Sequence, residues 1–166
     1  MVGSLQDAGN TSTLAGYLRL LNDSGLLVGL QKESVDAARK RASIPKLQVY
    51  NNALKTIYSS MTLEQVVTDR KAWGHIFESA VGAYIVNEAF KHRFEVTYWR
   101  EGNEEVDFVL RKNNSLVAIE VKGHAEKRTL GLDEFKKRFN PAHAFIVGTE
   151  GVKPEDFLNM DLRRLF

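Results

Sequence analysis

The sequence contains no cysteine, no apolar run long enough to cross a bilayer and no N-terminal secretory pattern. Without cysteine the chain cannot form disulfides or thiolate metal sites, which suits a cytoplasmic location. A membrane-spanning helix needs about 20 consecutive apolar residues, and no stretch of this chain reaches that length, so we expect no membrane partner. Residues 1–10 lack a basic region followed by an apolar stretch, which argues against a secretory signal.

A strong excess of charge of one sign is also lacking, because 23 Lys and Arg residues face 21 Asp and Glu residues and give a net charge of +2. So mild a balance does not establish a nucleic-acid partner. The basic residues are concentrated in segments 32–46 and 122–138, with five basic residues against two acidic ones and six against three. Solvated surface explains either segment taken alone.

The composition is that of a soluble globular protein, with 43% hydrophobic and 27% charged residues among 166. This length suits one ordinary domain or two small ones that share a core. We find no internal repeat and no low-complexity tract.

Residues 1–52 read as a helix, a tight turn, a strand, a basic loop and a returning strand. Hydroxyl groups at 11–13 predict a helix N-cap, apolar residues then recur at helical spacing, and Gly25 predicts the helix end. Strands are predicted at 26–30 and 46–50. This order is typical of the end of a winged helix, and residues 53–70 are predicted to be a helical connector.

Residues 71–166 predict the order α-β-β-β-α-β, a mixed sheet with flanking helices, and hence an α/β (α+β) fold. A long helix is predicted at 70–92 and a shorter one at 130–139. Alternation predicts that Val106, Phe108 and Leu110 face one side of a strand and Asp107 the other. The pair Asn113-Asn114 predicts a tight hairpin turn. The remaining strands are predicted at 94–100, 116–123 and 142–149.

Chemistry-bearing residues occur on the two hairpin strands. Asp107 and Glu120 fall within reach of each other across the ladder, and Lys122 projects from the same face as Glu120. Two converging carboxylates repel unless a proton or a cation lies between them, and carboxylate oxygens suit Mg²⁺ or Mn²⁺. The alternative is an exposed hairpin face on which Glu120 pairs with Lys122. Apolar residues surround both Asp107 and the segment Glu120-Val121-Lys122, which favours a metal-binding site over an exposed face.

Glu78 lies in the long helix between two glycines, Gly74 and Gly82, each four residues away. Glycine within a helix costs about 1 kcal/mol relative to alanine. The pair therefore suggests either a close approach of the helix to the sheet, which would bring Glu78 over Asp107 and Glu120, or relief of crowding beside neighbouring aromatic residues. Both explanations stay open at this point.

The motifs G-x-x-x-E, E-V-D-F and I-E-V-K, in this order of elements, resemble the PD-(D/E)XK nuclease superfamily over residues 73–149. The proline of the superfamily motif is absent. The resemblance implies a restriction-endonuclease-like αβββαβ core after a partial winged-helix segment. It implies a catalytic set of Glu78, Asp107, Glu120 and Lys122. It also implies that Asp107, Glu120 and the Val121 carbonyl bind Mg²⁺ or Mn²⁺, with Glu78 helping directly or through water.

A wider resemblance covers nearly the whole chain. The motifs N-T-S-T-L-A-x-Y-L-x-L-L, P-K-L-Q-V-Y-N and Y-W-R-x-G-x-E-V-D-F resemble the C-terminal half of bacterial and archaeal AAA+-type ATPases, which combines a winged helix with a nuclease-like domain of unknown function. Members usually carry Asp where this chain has Asn51 or Asn52. No G-x-x-x-x-G-K-[ST] motif occurs, so we expect no nucleotide site in this chain and a missing ATPase region in cis.

Three functions follow as alternatives. The first is a Mg²⁺-dependent nuclease domain acting on DNA phosphodiesters, and the second is a non-catalytic DNA- or protein-binding regulatory module of the ATPase. The third is a structural oligomerisation domain. The first helix could contact DNA or dock a protein. The residues that we expect to contact DNA are Thr13, Tyr17, Arg19, Arg39, Lys40, Arg41, Lys127 and Arg128.

Overall fold

The computed structural model describes residues 11–36, 43–57, 59–124 and 130–166. Its strands are β1 (Leu27–Lys32), β2 (Lys46–Val49), β3 (Glu95–Glu101), β4 (Glu104–Lys112), β5 (Ser115–Lys122) and β6 (His143–Gly148). Its helices are α1 (Thr11–Asp23), α2 (Ala53–Ile57), α3 (Leu63–Thr68), α4 (Arg70–His92), α5 (Leu130–Phe139), α6 (Pro154–Leu158) and a 3₁₀ helix at Leu162–Leu165. None of the helices in these ranges has both the length and the apolar character needed to cross a bilayer.

The six strands form one mixed sheet in the order β2-β1-β3-β4-β5-β6. The pairs β1–β2, β3–β4 and β4–β5 are antiparallel, whereas β1–β3 and β5–β6 are parallel. The α+β class and the predicted order α-β-β-β-α-β are confirmed. The hairpin turn is confirmed too, because Asn113 has a φ of 54° between the paired residues Lys112 and Ser115.

The N-terminal strands belong to the same sheet as the rest of the chain. Gln31 and Lys32 of β1 pair with β3, and the Glu33 N–H donates to the Tyr98 carbonyl oxygen at 2.6 Å. Helix α1 and the β1–β2 hairpin occur in the predicted order, but the sheet continues across the boundary predicted at residue 52. The division into 1–52, 53–70 and 71–166, and the winged-helix interpretation, stay predictions.

Segment 32–46 is not simply solvated surface. The Glu33 side chain is only 2% exposed, and its carboxylate accepts hydrogen bonds from Arg111 Nη2 at 2.8 Å and Thr97 Oγ1 at 3.0 Å. The solvated-surface explanation is therefore wrong for Glu33, because a charge that leaves water needs partners inside the protein.

A β-bulge interrupts the alternation predicted for β4. Thr97 pairs with Val109 and Trp99 with Val106, so one residue of β3 faces two residues of β4, Asp107 and Phe108. Phe108 packs in the core cluster beneath α4, whereas Val106 packs with Val109 beneath α5. The prediction that Val106 shares a face with Phe108 is wrong, because the extra residue shifts the pleat by one position.

Helix α4 lies close to the sheet at Gly82. A Cβ placed there would come within 2.2 Å of Gln48 Oε1 and 2.6 Å of Phe108 Cζ, whereas a Cβ at Gly74 would meet nothing within 4 Å. The close-approach explanation is confirmed for Gly82. At Gly74 the helix backbone lies close to Gly123, where an added Cβ would stand 3.3 Å from the Gly74 Cα, but nothing there requires a glycine at position 74. The helix begins at an N-cap, Asp69, whose carboxylate accepts from two first-turn N–H groups.

Candidate functional site

Glu78 of α4 and Asp107 of the β4 bulge share one cation, the ammonium group of Lys46. The Lys46 Nζ atom lies 2.5 Å from Glu78 Oε1 and 3.2 Å from Asp107 Oδ1. It also donates to the backbone carbonyl oxygen of Asp107 at 3.3 Å. Three oxygen atoms from two separate elements thus surround a single positive charge.

The position of Lys46 follows from the sheet. Lys46 is the first residue of β2, its ammonium lies 4.8 Å from the centre of the Phe108 ring, and Gln48 two residues later contacts α4. Burial lowers the pKa of Lys46, but the charges of Asp107 and Glu78 outweigh burial, so the pKa is raised above its ordinary value. The ammonium is therefore held in its charged form.

Asp107 is 9% exposed and is oriented from two sides. Its Oδ1 atom faces Lys46, and its Oδ2 atom accepts a hydrogen bond from the Val121 N–H at 2.8 Å. Burial raises the pKa of Asp107, the Lys46 charge opposes that rise, and the Glu78 charge adds to it. The Asp107 carboxylate is thus hydrogen-bonded to the backbone of Val121, which lies between Glu120 and Lys122.

Glu120 and Lys122 form the second pair. Lys122 Nζ lies 3.0 Å from Glu120 Oε1, while the buried Oε2 atom has no hydrogen-bond partner within the described residues. Burial raises the pKa of Glu120, Lys122 lowers it, and the charge of Asp107 raises it further. The alternative that Glu120 pairs with Lys122 is therefore correct as a contact, although Glu120 is only 6% exposed.

The structure thus joins the four predicted catalytic residues as two lysine–carboxylate groups that meet at the Val121 backbone. In the described ranges, no three His, Cys, Asp or Glu side chains are arranged as ligands around one point. The ammonium of Lys46 lies where Glu78 and Asp107 converge. The Val121 N–H is engaged with Asp107, and the ligand role of its carbonyl oxygen stays a prediction.

Two clefts adjoin these groups. One of about 350 Å³ is lined by Lys46, Glu78 and Asp107, together with His75 and Arg100. The other, of about 340 Å³, lies beside Lys122 and is lined by Lys153 and by two stacked rings of α4, whose centres are 6.3 Å apart. Lys122 and Asp107 therefore line different clefts.

The residues expected to contact DNA lie outside both clefts where the structure describes them. Tyr17 and Arg19 are exposed on α1, and Thr13 on the same helix is half-buried. Helix α1 is linked to the residue that follows β2 by a hydrogen bond from Tyr50 Oη to Asn22 Oδ1 at 2.9 Å. The other predicted contacts fall outside the described residues; they are Arg39, Lys40, Arg41, Lys127 and Arg128.

Sequence reasoning missed Lys46, which it counted only as one charge of a basic segment. The usable signal was its place at the start of an apolar strand directly after Pro45. A partly buried lysine needs an acidic partner, but the local sequence does not show that this partner is Glu78 and Asp107 rather than the nearer Glu33 or Asp36.

The comparison with protein families gives one match. The family described as Domain of unknown function (DUF4143) matches residues 73–159, which is more than half of the chain. This agrees with the domain of unknown function in the resemblance drawn from the sequence. No curated protein and no solved structure matches the chain.

Proposed function

The chain belongs to the DUF4143 family, a domain found in the C-terminal part of AAA-ATPase-like proteins, and from this premise we propose a Mg²⁺- or Mn²⁺-dependent nuclease-type activity on DNA phosphodiesters. One observation carries the proposal. The Asp107 carboxylate accepts from the Val121 N–H, between Glu120 and Lys122, while it shares Lys46 with Glu78. The Asp107 carboxylate thereby connects Glu78 of α4 with Glu120 and Lys122 of β5.

The donor set fits a hard divalent cation. Carboxylate and carbonyl oxygens are the ligands that Mg²⁺ and Mn²⁺ prefer. Glu78 and Asp107 already hold one cation between them, and a buried oxygen of Glu120 has no hydrogen-bond partner in the described part of the chain. The ligands would be Asp107, Glu120, the Val121 carbonyl and Glu78. A bound divalent cation lowers the pKa of water and polarises a phosphoryl oxygen.

The protein's own residues have distinct parts in this proposal. The Val121 N–H fixes the orientation of the Asp107 carboxylate, and close packing at Gly82 holds α4, and with it Glu78, near the sheet. Lys122 pairs with Glu120, and an ammonium next to a metal-binding carboxylate can orient a nucleophile or stabilise charge on a phosphoryl group, although Lys122 borders a different cleft from Asp107.

The test combines calorimetry with Mn²⁺ and cleavage of single-stranded, duplex and branched DNA. We expect the wild type to bind Mn²⁺ and cleave, Asp107→Asn to lose both, and Lys122→Ala to bind Mn²⁺ without cleaving. Asp133→Asn is the matched control, because this carboxylate is exposed on α5 and pairs only with a lysine of its own helix among the described residues. A wild type that binds no Mn²⁺ would exclude a metal-dependent nuclease.

A second candidate is a non-catalytic binding module of the ATPase, attached in cis. The observation that favours it is that protein groups already pair with these carboxylates: Lys46 contacts both Glu78 and Asp107, and Lys122 contacts Glu120, so two ammonium groups face three carboxylates. For DNA binding, we expect affinity that falls steeply with salt and no cleavage with any metal. Salt-insensitive binding would indicate protein docking instead, and light scattering would reveal a homo-oligomer.

A further inference from the structure

The ammonium of Lys46 has the surroundings of a bound cation. Glu78 Oε1, Asp107 Oδ1 and the Asp107 carbonyl oxygen lie 2.5, 3.2 and 3.3 Å from Nζ. The two side chains come from α4 and β4, which meet only because the sheet and the helix pack together. An internal cation therefore occupies the point at which these carboxylates converge.

We propose that Lys46 is a displaceable internal cation, which occupies the divalent-metal position and must leave Glu78 and Asp107 before Mg²⁺ or Mn²⁺ can bind there. This inference rests on the proposed metal site, and adds a residue that controls access to it. Lys46 is a positioning residue, not a ligand.

Geometry requires the exchange. Mg²⁺ binds oxygen at about 2.0–2.1 Å, so a metal between Glu78 and Asp107 would coincide with the ammonium, whose like charge would also repel it. The carboxylate of Asp107 is held by the Val121 N–H, whereas the Lys46 side chain is 26% exposed and borders the 350 Å³ cleft. The Glu78 side chain is equally exposed, at 28%, but only departure of the lysine leaves both carboxylates in place for the metal.

The cleft offers the displaced ammonium a place to go. Glu105 lines the same cleft as Lys46 and pairs there with Arg100 at 3.7 Å, so its exposed carboxylate is an acidic group toward which the ammonium can swing. The four flexible torsions of a lysine side chain allow such a swing without movement of the backbone. Binding of the metal would then leave a mobile ammonium beside the carboxylates, available to an anionic group in the cleft.

The experiment measures Mn²⁺ affinity by calorimetry, with the metal alone, for the wild type, Lys46→Met and Lys46→Arg. We expect Lys46→Met to bind Mn²⁺ at least about tenfold more tightly than the wild type, because competition and charge repulsion are both removed. Lys46→Arg keeps the cation and should bind as weakly as the wild type. Lys91→Met is the control, since Lys91 is an exposed lysine of the same helix as Glu78.

The outcomes separate this inference from the proposed function. Equal or weaker binding by Lys46→Met, with clear binding by the wild type, overturns the role of Lys46 and leaves the metal site standing. No binding by either protein overturns both.

A second measurement uses the wild type in case Lys46→Met does not fold. The NMR signal of the Lys46 Cε–H group, assigned by its loss in Lys46→Arg, should shift on addition of Mg²⁺ while that of Lys91 stays in place. An unmoved Lys46 signal at saturating Mg²⁺ overturns the exchange.

Discussion

Gly82→Ala should destabilise the protein, whereas Gly74→Ala should stabilise it, although both glycines lie in α4 four residues from Glu78. At Gly82 an added Cβ would lie 2.2 Å from Gln48 Oε1, 2.6 Å from Gln48 Cδ and 2.6 Å from Phe108 Cζ. Phe108 is fully buried, and the Gln48 amide donates to the Ser79 carbonyl oxygen at 3.0 Å and to the Val49 carbonyl oxygen at 2.8 Å. Movement of Gln48 would break these hydrogen bonds, and movement of Phe108 would disturb the packing of the core.

The magnitude follows from two opposing effects. Overpacking a core position costs about 1–3 kcal/mol, and replacing glycine by alanine within a helix returns about 1 kcal/mol. We therefore expect Gly82→Ala to lower the free energy of unfolding by up to about 2 kcal/mol. At Gly74 the new methyl group meets nothing within 4 Å, so the helix preference acts alone and the free energy should rise by about 1 kcal/mol.

Urea denaturation followed by tryptophan fluorescence measures both values. Trp99 is 1% exposed in the core, so its fluorescence changes when the core unfolds. Gly82→Ala should also weaken Mn²⁺ binding, since it pushes the helix that carries Glu78 away from Asp107. If Gly82→Ala proves as stable as Gly74→Ala, the contact between α4 and the sheet is looser than described, and the positioning of Glu78 by close packing is refuted.

Three further predictions concern groups with specific partners. Asp69→Ala should lower the free energy of unfolding in urea because the N-cap of α4 is lost, whereas Asp69→Asn, which keeps an acceptor oxygen, should keep most of the wild-type stability. Arg111→Met should cost about 3 kcal/mol in the same assay, since it leaves the buried Glu33 without its ion-pair partner, and adding Glu33→Gln should recover part of that loss. Burial holds the pKa of Glu120 above its ordinary value of 4.5, so the native state binds a proton more tightly than the unfolded chain, and stability should fall as pH rises from about 4.5 through the raised pKa. Urea titrations over that range should show a flatter profile for Glu120→Gln, and an unchanged profile would contradict the burial argument.

Local patterns predicted the elements that local chemistry determines. Helix α4 was predicted at 70–92 and α5 at 130–139, and both have these bounds, because apolar periodicity, an Asp N-cap and a following Asn-Pro act within a few residues. The turn at Asn113 was predictable for the same reason. The order of elements then gave the α+β class without knowledge of the strand order.

Contacts between distant segments were not predictable in this way. The pairing of β1 with β3 joins residues more than sixty positions apart. The bulge at Asp107 depends on the register in which β3 pairs with β4. Alternation counts each residue in turn, so one extra residue reversed the predicted side of Val106. The partner of Glu33 was hidden for a similar reason, since Arg111 is 78 residues away.

The two candidate functions assign opposite roles to Lys46, which stays with its carboxylates in one and must leave them in the other. In a binding module the ammonium of Lys46 is a permanent counterion, so Lys46→Met would leave Glu78 and buried Asp107 repelling each other, a loss that only protonation relieves. In a metal-dependent nuclease the same loss exists without metal, but a divalent cation replaces the missing charge and restores stability. Because a ligand that binds only the native state raises its stability once the ligand concentration exceeds the dissociation constant, thermal unfolding of Lys46→Met with and without Mn²⁺ separates the two functions even where no DNA substrate is known.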